Sequence, residues 1–208
     1  MTQTQSIKAL FLDIGGVLLT NGWDRNARYR AAQHFKLDYE QLNERHHLTF
    51  DTYESGKLSL EDYLQRIVFY EDRTFSIEEF ARFIMEQSQP FPEMIQLVKK
   101  LKQEYGLKLL AVNNEGREIN TYRIRQFALD TIFDAFVSSC YVHLRKPDLD
   151  IFQLALAIGQ IDPKEVVYID DQLMFVQVAQ RLGMNCIEHT SFESTCEKLT
   201  SMGLTLSH

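Results

Sequence analysis

Residues 9–18 read Ala9-Leu10-Phe11-Leu12-Asp13-Ile14-Gly15-Gly16-Val17-Leu18, an apolar run that ends on one carboxylate and then turns on two glycines. A run this short, bounded and apolar has the pattern of a fully buried strand. A carboxylate at the edge of a core needs a partner, and two glycines let the backbone bend sharply and approach a ligand closely. The reading places Asp13 at the carboxyl end of a central strand, where open α/β sheets carry their chemistry. A strand closed by a turn-forming Asp-x-Gly-Gly would look the same over these residues alone, so the weight falls on the rest of the chain.

Outward from this stretch the chain alternates. Phe91-Pro92-Glu93 opens a helix, with Pro92 suited to the first turn. Met94, Leu97, Val98 and Leu101 make its apolar stripe before Gly106 ends it. Leu107–Val112 reads as a buried strand leading to Asn113-Asn114, and a polar helix spans 116–128. Phe136-Val137 is a short strand candidate, followed by the turn Arg145-Lys146-Pro147-Asp148 and a helix over 149–158 closed by Gly159. Val166–Ile169 is a further strand ending on Asp170-Asp171. A helix over 174–182 ends at Gly183, and Cys186-Ile187 forms a last edge strand. Strands alternating with helices of this length predict an α/β fold, a Rossmann-like parallel sheet covered by helices on both faces. Asp13, Asn113 and Asp170-Asp171 each follow a strand directly, and Lys146 lies in a loop after another. In a parallel sheet all of them share one rim.

Residues 21–89 read differently. They predict helices over 24–36, 39–53, 59–70 and 76–88, broken at Gly56 and at Glu71-Asp72-Arg73, and they hold half of the chain's aromatic residues. Those aromatics suit the core of a small all-α bundle, with a few left for a roof over the rim or a dimer face. The expected organisation is a catalytic core of residues 1–20 and 90–208, with residues 21–89 as a helical cap hanging over Asp13.

Composition bounds the partners. The 208 residues are 45% hydrophobic and 25% charged, with net charge −7. That balance argues against nucleic acid or an anionic membrane as partner. Cys140, Cys186 and Cys196 show no paired spacing, which fits reduced thiols better than a disulfide framework. The polar start Met-Thr-Gln-Thr-Gln-Ser lacks the features of a signal peptide, and no apolar stretch approaches a membrane span. The expectation is a cytoplasmic protein, monomeric or homodimeric.

One nucleophilic carboxylate, two more carboxylates and a lysine suit phosphoryl transfer. Asp13 would attack phosphorus to form an aspartyl phosphate that water then hydrolyses. A dianionic phosphate needs compensation to approach it, and Mg²⁺ held by Asp13 and Asp171 would supply this. Lys146 adds a fixed positive charge, and the amides of Gly15-Gly16 can cradle phosphoryl oxygens.

In the order and spacing of Phe11-Leu12-Asp13-Ile14-Gly15-Gly16-Val17-Leu18, Leu110-Ala111-Val112-Asn113-Asn114, Arg145-Lys146-Pro147-Asp148 and Val167-Tyr168-Ile169-Asp170-Asp171, the chain resembles a haloacid-dehalogenase-superfamily hydrolase with a helical cap inserted after the first motif. It is most similar to the branch of glucose-1-phosphate phosphatases and the phosphatase domain of soluble epoxide hydrolase. The resemblance implies a small phosphorylated metabolite as substrate and Asp13 as nucleophile. It also implies metal ligation by Asp13, the backbone oxygen of Gly15 and Asp171, with Asp170 close by, and a substrate site that includes Gly15, Gly16, Asn113, Asn114 and Lys146.

The departures matter as much. Where most phosphatases of the family carry a second Asp as general acid and base, this chain has Gly15. Asn113 stands for a Ser or Thr that donates to the phosphoryl group, and Phe175 for an Asn or Asp. Loss of a positioned general acid costs about 10²–10⁴ in rate, which favours sugar 1-phosphates, acyl phosphates and aryl phosphates, whose leaving groups need protonation least. Asp24, Arg28, His46 and His47 are the candidates to replace it from the cap, Asp24 foremost. Two alternatives stay open: an attenuated member that binds a phosphorylated ligand or a protein partner, and a protein that accumulates its aspartyl phosphate. A 2-haloacid dehalogenase needs no metal and has little use for Asp170-Asp171 beside Asp13.

Overall fold

The computed structural model describes residues 6–206; the first five residues of the polar start lie outside them. In chain order the strand β1 (Ala9–Leu12) leads into five helices: α1 (Arg25–Phe35), α2 (Tyr39–His47), α3 (Phe50–Glu54), α4 (Leu60–Ile67) and α5 (Ile77–Glu86). Next come α6 (Pro92–Tyr105), β2 (Lys108–Asn113), α7 (Arg117–Gln126), β3 (Ala135–Ser138), α8 (Ser139–Val142) and α9 (Leu149–Gly159). The chain closes with β4 (Val166–Asp170), α10 (Leu173–Gln180), β5 (Asn185–Glu188) and α11 (Phe192–Ser201).

The five strands form one parallel sheet in the order β3-β2-β1-β4-β5. Successive strand residues alternate between two cores, as strand geometry requires. Leu10, Leu12, Leu109, Ala111, Val167 and Ile169 face α6 and α11. Ala9, Phe11, Leu110, Val112, Val166 and Tyr168 face α9 and α10. Both faces are covered, so the strands read as continuous apolar runs. After β3 the chain crosses β1 to reach β4, and this reversal puts the carboxyl end of β1 at the point where the strand order switches.

Helices α1–α5 form a third cluster around Trp23, Tyr53, Tyr63, Leu64, Phe80 and Ile84, which Ile119 of α7 joins from the core. Phe80 is ringed by Trp23, Phe35, Phe69 and Phe75, which is the bundle core that the aromatic content of residues 21–89 predicts. Two segments join this unit to the sheet, and they pair with each other. The Thr20 amide donates to the Gln89 carbonyl at 2.8 Å, the Thr20 hydroxyl to that of Gln87 at 2.7 Å, and the Phe91 amide to that of Leu18 at 2.8 Å.

Three local expectations are corrected. The helix expected over 39–53 is two helices, because the Thr49 hydroxyl takes the Arg45 carbonyl at 2.6 Å and competes with continuation of the helix. The helix expected to be closed by Gly159 ends on it, and the left-handed turn falls to Gln160 (φ 51°). Gly159 is small for packing: a Cβ there would lie 3.2 Å from the Phe11 ring. Helix α11 lies beyond the last edge strand read from the sequence; with Thr195 and Leu199 as its buried residues, its stripe is too thin to register as periodicity. All three cysteines are unbridged, and among the described residues no helix is long and apolar enough to cross a membrane.

Candidate active site

The β1–β4 ladder runs one residue past β1, since the Asp13 amide donates to the Ile169 carbonyl at 2.9 Å. This holds Asp13 at the switch point, and its Oδ1 accepts the Ile14 amide at 2.8 Å. The chain then turns: Gly16 sits at φ 70° and donates its amide to the Leu19 carbonyl at 2.7 Å. A Cβ on Gly16 would run into the Asp171 carboxylate. Glycine is therefore required there twice over, by the left-handed backbone and by the carboxylate packed against it.

Lys146 is 1% exposed. Its Nζ lies 2.7 Å from Asp170 Oδ2 and 3.1 Å from Asp13 Oδ2, so one ammonium bridges the ends of two adjacent strands. Asn114 sets its position, accepting the Lys146 amide at 2.9 Å and donating to the Lys146 carbonyl at 2.8 Å. The Phe175 ring lies 5.1 Å from the ammonium, so an aromatic face stands where the family pattern has a polar side chain. Burial opposes the charge on Lys146, yet Asp13 and Asp170 together raise its pKa above the ordinary value. Burial, Asp170 and Asp171 push the Asp13 carboxyl up to about 7 against the pull of Lys146. Crowded carboxylates behave this way when one cation serves several of them.

Oxygens of Asp13, Asp170 and Asp171 lie within 4.8 Å of one another. Their remaining capacity differs. Both oxygens of Asp170 are engaged, Oδ2 by Lys146 and the Tyr168 hydroxyl and Oδ1 by the Gln172 amide at 2.8 Å. Asp171 Oδ2 accepts Asn21 at 2.9 Å and Gln172 at 3.0 Å, but its Oδ1 is buried with no hydrogen-bond partner. A buried carboxylate oxygen without a donor is costly, and an oxygen-seeking divalent cation between Asp13 and Asp171 would relieve it. The donor set fits Mg²⁺.

These rim groups open into a cavity of about 330 Å³ whose other walls are Trp23, Asp24, Arg28, His46, Tyr53 and Tyr63 from the helical unit. A family model, haloacid dehalogenase-like hydrolase, matches residues 7–183. The chain belongs to the haloacid dehalogenase-like hydrolases. It is 26% identical over 113 residues to a sesquiterpene phosphatase of Aspergillus oryzae, covering 54% of this chain; the match spans 57% of that relative. A haloacid dehalogenase family enzyme of Bacteroides thetaiotaomicron, solved with magnesium and inorganic phosphate, superposes with a TM-score of 0.76 at 21% identity, covering 91% of this chain and 99% of that one. The L-2-haloacid dehalogenase of Xanthobacter autotrophicus superposes at 0.62 with 16% identity, over 96% of this chain and 84% of that one. These two structural likenesses establish the shared fold.

As a haloacid dehalogenase-like hydrolase, the chain brings Asp13, Gly16, Lys146, Asp170 and Asp171 together, with Gly15 beside them and Asn114 on the cavity wall. Asn113 is the exception. Its Nδ2 donates to Asn120 at 2.9 Å and its Oδ1 accepts Ser138 at 2.8 Å, and the residue is buried and absent from the cavity wall. The expected donation to substrate is corrected accordingly: one residue of register separates the inward Asn113 from the cavity-lining Asn114.

The candidates to replace the missing acid also sort out. Asp24 caps α1, accepting the Ala27 amide at 2.7 Å. His46 is held by the Tyr63 hydroxyl at 2.6 Å, which also accepts Trp23 Nε1 at 2.8 Å; burial, Arg28 and His47 depress its pKa to about 3. It is a neutral hydrogen-bonding group at physiological pH. His47 is exposed and absent from the cavity wall. Two groups escaped the sequence reading. Arg145 reaches from the core to Glu54 at 2.6 Å and to Asp51 on α3. Buried Arg123 donates to the Thr20 carbonyl at 2.7 Å, to Ser88 at 3.0 Å and to Glu115 at 3.0 Å, tying both linkers to α7. Arg145 stands in the Arg145-Lys146-Pro147-Asp148 segment without a role assigned to it, and Arg123 lies in a polar stretch; the partners of both are remote in the chain.

Proposed function

We propose that this hydrolase is a Mg²⁺-dependent phosphatase of small phosphorylated metabolites, with residues 21–89 as its cap domain. The observation that carries the reading is the pairing of Asp13 with Lys146 beside Asp171 Oδ1, a buried oxygen with no partner. An Asp13 oxygen attacks phosphorus while the bond to the leaving oxygen breaks. Water then cleaves the aspartyl phosphate and returns the free carboxylate. Lys146 neutralises charge at the rim, Asp170 and Asn114 hold Lys146 in place, and the Gly15-Gly16 turn lets backbone approach the phosphoryl group. Asp13, Asp171 and the Gly15 carbonyl would hold Mg²⁺, whose charge offsets the repulsion between carboxylate and phosphate. The phosphatase relative from Aspergillus oryzae and the magnesium and phosphate bound by the Bacteroides enzyme support this choice among hydrolase chemistries.

Protonation of the leaving group is the weak step, since no side chain extends from position 15. Sugar 1-phosphates, acyl phosphates and aryl phosphates are the expected substrates, a preference grounded in leaving-group chemistry. Phosphate release should require both Mg²⁺ and Asp13, and should rank substrates by leaving-group acidity. Folded protein that releases none from such a panel, with or without Mg²⁺, would refute the reading.

One observation favours a second reading, a member that binds a phosphorylated ligand with little turnover. A Cβ at position 15 would lie 2.8 Å from Asn21 Oδ1, and Asn21 in turn holds Asp171. Restoring an acid with Gly15→Asp therefore requires the Asn21 side chain to turn aside, and Gly15→Asp is made alone and with Asn21→Ala as a pair. A large gain in turnover from that pair would mark the scaffold as competent but attenuated.

A further inference from the structure

The cavity holds a cation that the phosphoryl chemistry does not use. Arg28 on α1 is 5% exposed and lines the cavity. Its Nε donates to Asn43 Oδ1 at 3.1 Å and its Nη1 to the Trp23 carbonyl at 2.9 Å, both neutral acceptors. Among the described residues no carboxylate forms an ion pair with it and no acceptor takes its Nη2. The carboxylates on the same walls are engaged elsewhere: Glu54 with Arg145, Glu115 with Arg123, and Asp24 with the start of α1. Arg25 also lines the cavity, but it is exposed, with its Nε on the Tyr39 hydroxyl.

Burying a guanidinium without an anion is unfavourable unless something supplies one. Burial lowers the pKa of Arg28 from its ordinary value, and the groups acting most strongly on it after that are Tyr63, Tyr39, Asp24 and Glu54, all of the helical unit. Those acting on Asp13 are Lys146, Asp170 and Asp171, all of the rim. On the helical wall of the same cavity Arg28 keeps its Nη2 without a partner among the described residues, a desolvated donor suited to an oxygen of a carboxylate or phosphate.

We propose that Arg28 is the receptor for a second anionic group on the substrate, so that the preferred substrates are small phosphoesters that also carry a carboxylate or a second phosphate. The proposal rests on the phosphatase reading for the phosphoryl end of the site. The cavity volume suits a compact molecule of this class rather than a long chain.

The test compares paired probes that differ mainly in the second anion. These are 3-phosphoglycerate against glycerol 3-phosphate for the carboxylate, and fructose 1,6-bisphosphate against fructose 6-phosphate for the phosphate. In wild type with Mg²⁺, kcat/KM should favour the doubly anionic member of at least one pair by about 10–100-fold, the range of a charge-assisted hydrogen bond. Which pair shows it names the anion. Arg28→Gln should collapse that ratio towards one, and Arg28→Lys should restore part of it.

The ratio separates recognition from damage, because a misfolded roof or an Arg28 that binds the scissile phosphoryl group would lower both members equally. Equal losses, or a wild-type ratio near one in both pairs, would overturn the proposal. Calorimetric binding of the same pairs to Asp13→Asn and to Asp13→Asn with Arg28→Gln reads the preference without turnover. A preference in binding with no phosphate release from any probe would sustain the anion receptor while sinking the phosphatase.

Discussion

The rim and the roof of the cavity are built on opposite terms. On the rim the central charges lock onto one another: Lys146 bridges Asp13 and Asp170, and the backbone of Lys146 is clamped by Asn114, while Asp171 is held by the amides of Asn21 and Gln172. In the roof the Trp23–Tyr63–His46 chain and the contacts of Arg28 with Asn43 and a carbonyl join groups to neutral partners. The difference teaches a division of labour. Interlocked charges fix atoms for a reaction, whereas polar groups on neutral partners leave capacity for whatever enters. The roof is joined to the core through Arg145 on Asp51 and Glu54, Arg123 on the two linkers, Ser139 on the Glu54 carbonyl and His143 on that of Ser55.

The largest expected effect breaks the rim chemically. Asp13→Asn should lower phosphate release by about 10⁴-fold or more, the scale of losing a nucleophile, while the circular dichroism spectrum and roof contacts stay unchanged. A residual rate within tenfold of wild type would mean that the nucleophile lies elsewhere. Lys146→Met breaks it electrostatically. It leaves two buried carboxylates without their cation and should cost about 3–5 kcal/mol in chemical denaturation; a loss under about 1 kcal/mol would show that the ammonium is not what holds them.

Gly16→Ala tests the turn between them. The added methyl meets the Asp171 carboxylate at a left-handed backbone position, so Mg²⁺ affinity by calorimetry should fall by about 10–100-fold. Unchanged affinity would remove Asp171 from the ligand set. In the roof, Tyr63→Phe should cost about 1–3 kcal/mol by stranding Trp23 Nε1 and His46, with a smaller effect on turnover than any rim substitution.

The smallest effect concerns the strap between the two regions. Burial, outweighing Arg123, pushes the Glu115 carboxyl from an ordinary 4.5 up to about 7. The folded state thus holds this proton more tightly than the unfolded chain does. The associated stability is fully present below pH 4.5 and is lost as pH rises to about 7. Glu115→Gln should flatten that part of the stability–pH curve; a curve identical to wild type would show that Glu115 does not titrate there.

The alternation of apolar runs and helical stripes was enough to read the parallel sheet, because a strand buried on both faces has to be apolar throughout. The same runs located Asp13, Asn113 and Asp170-Asp171, since each lies at or directly after the end of a strand. Chain position at a strand end did not settle side-chain direction. Asn113 and Asn114 are adjacent and chemically identical, and packing against Asn120 and Ser138 turned the first inward. Helix α11 was missed because two buried residues leave too weak a periodicity to see.

What the sequence determined by itself was local: which segments bury their whole surface, which turns demand glycine, and which strands end on carboxylates. These come from periodicity and backbone sterics, which act over a few residues. Only the tertiary structure decided that both oxygens of Asp170 are engaged while Asp171 keeps an open one, that His46 is held neutral, and that Arg28 lacks a counter-ion. Each of these depends on partners brought together from remote parts of the chain and on the water that folding removes, and neither is written in the spacing of residues along it.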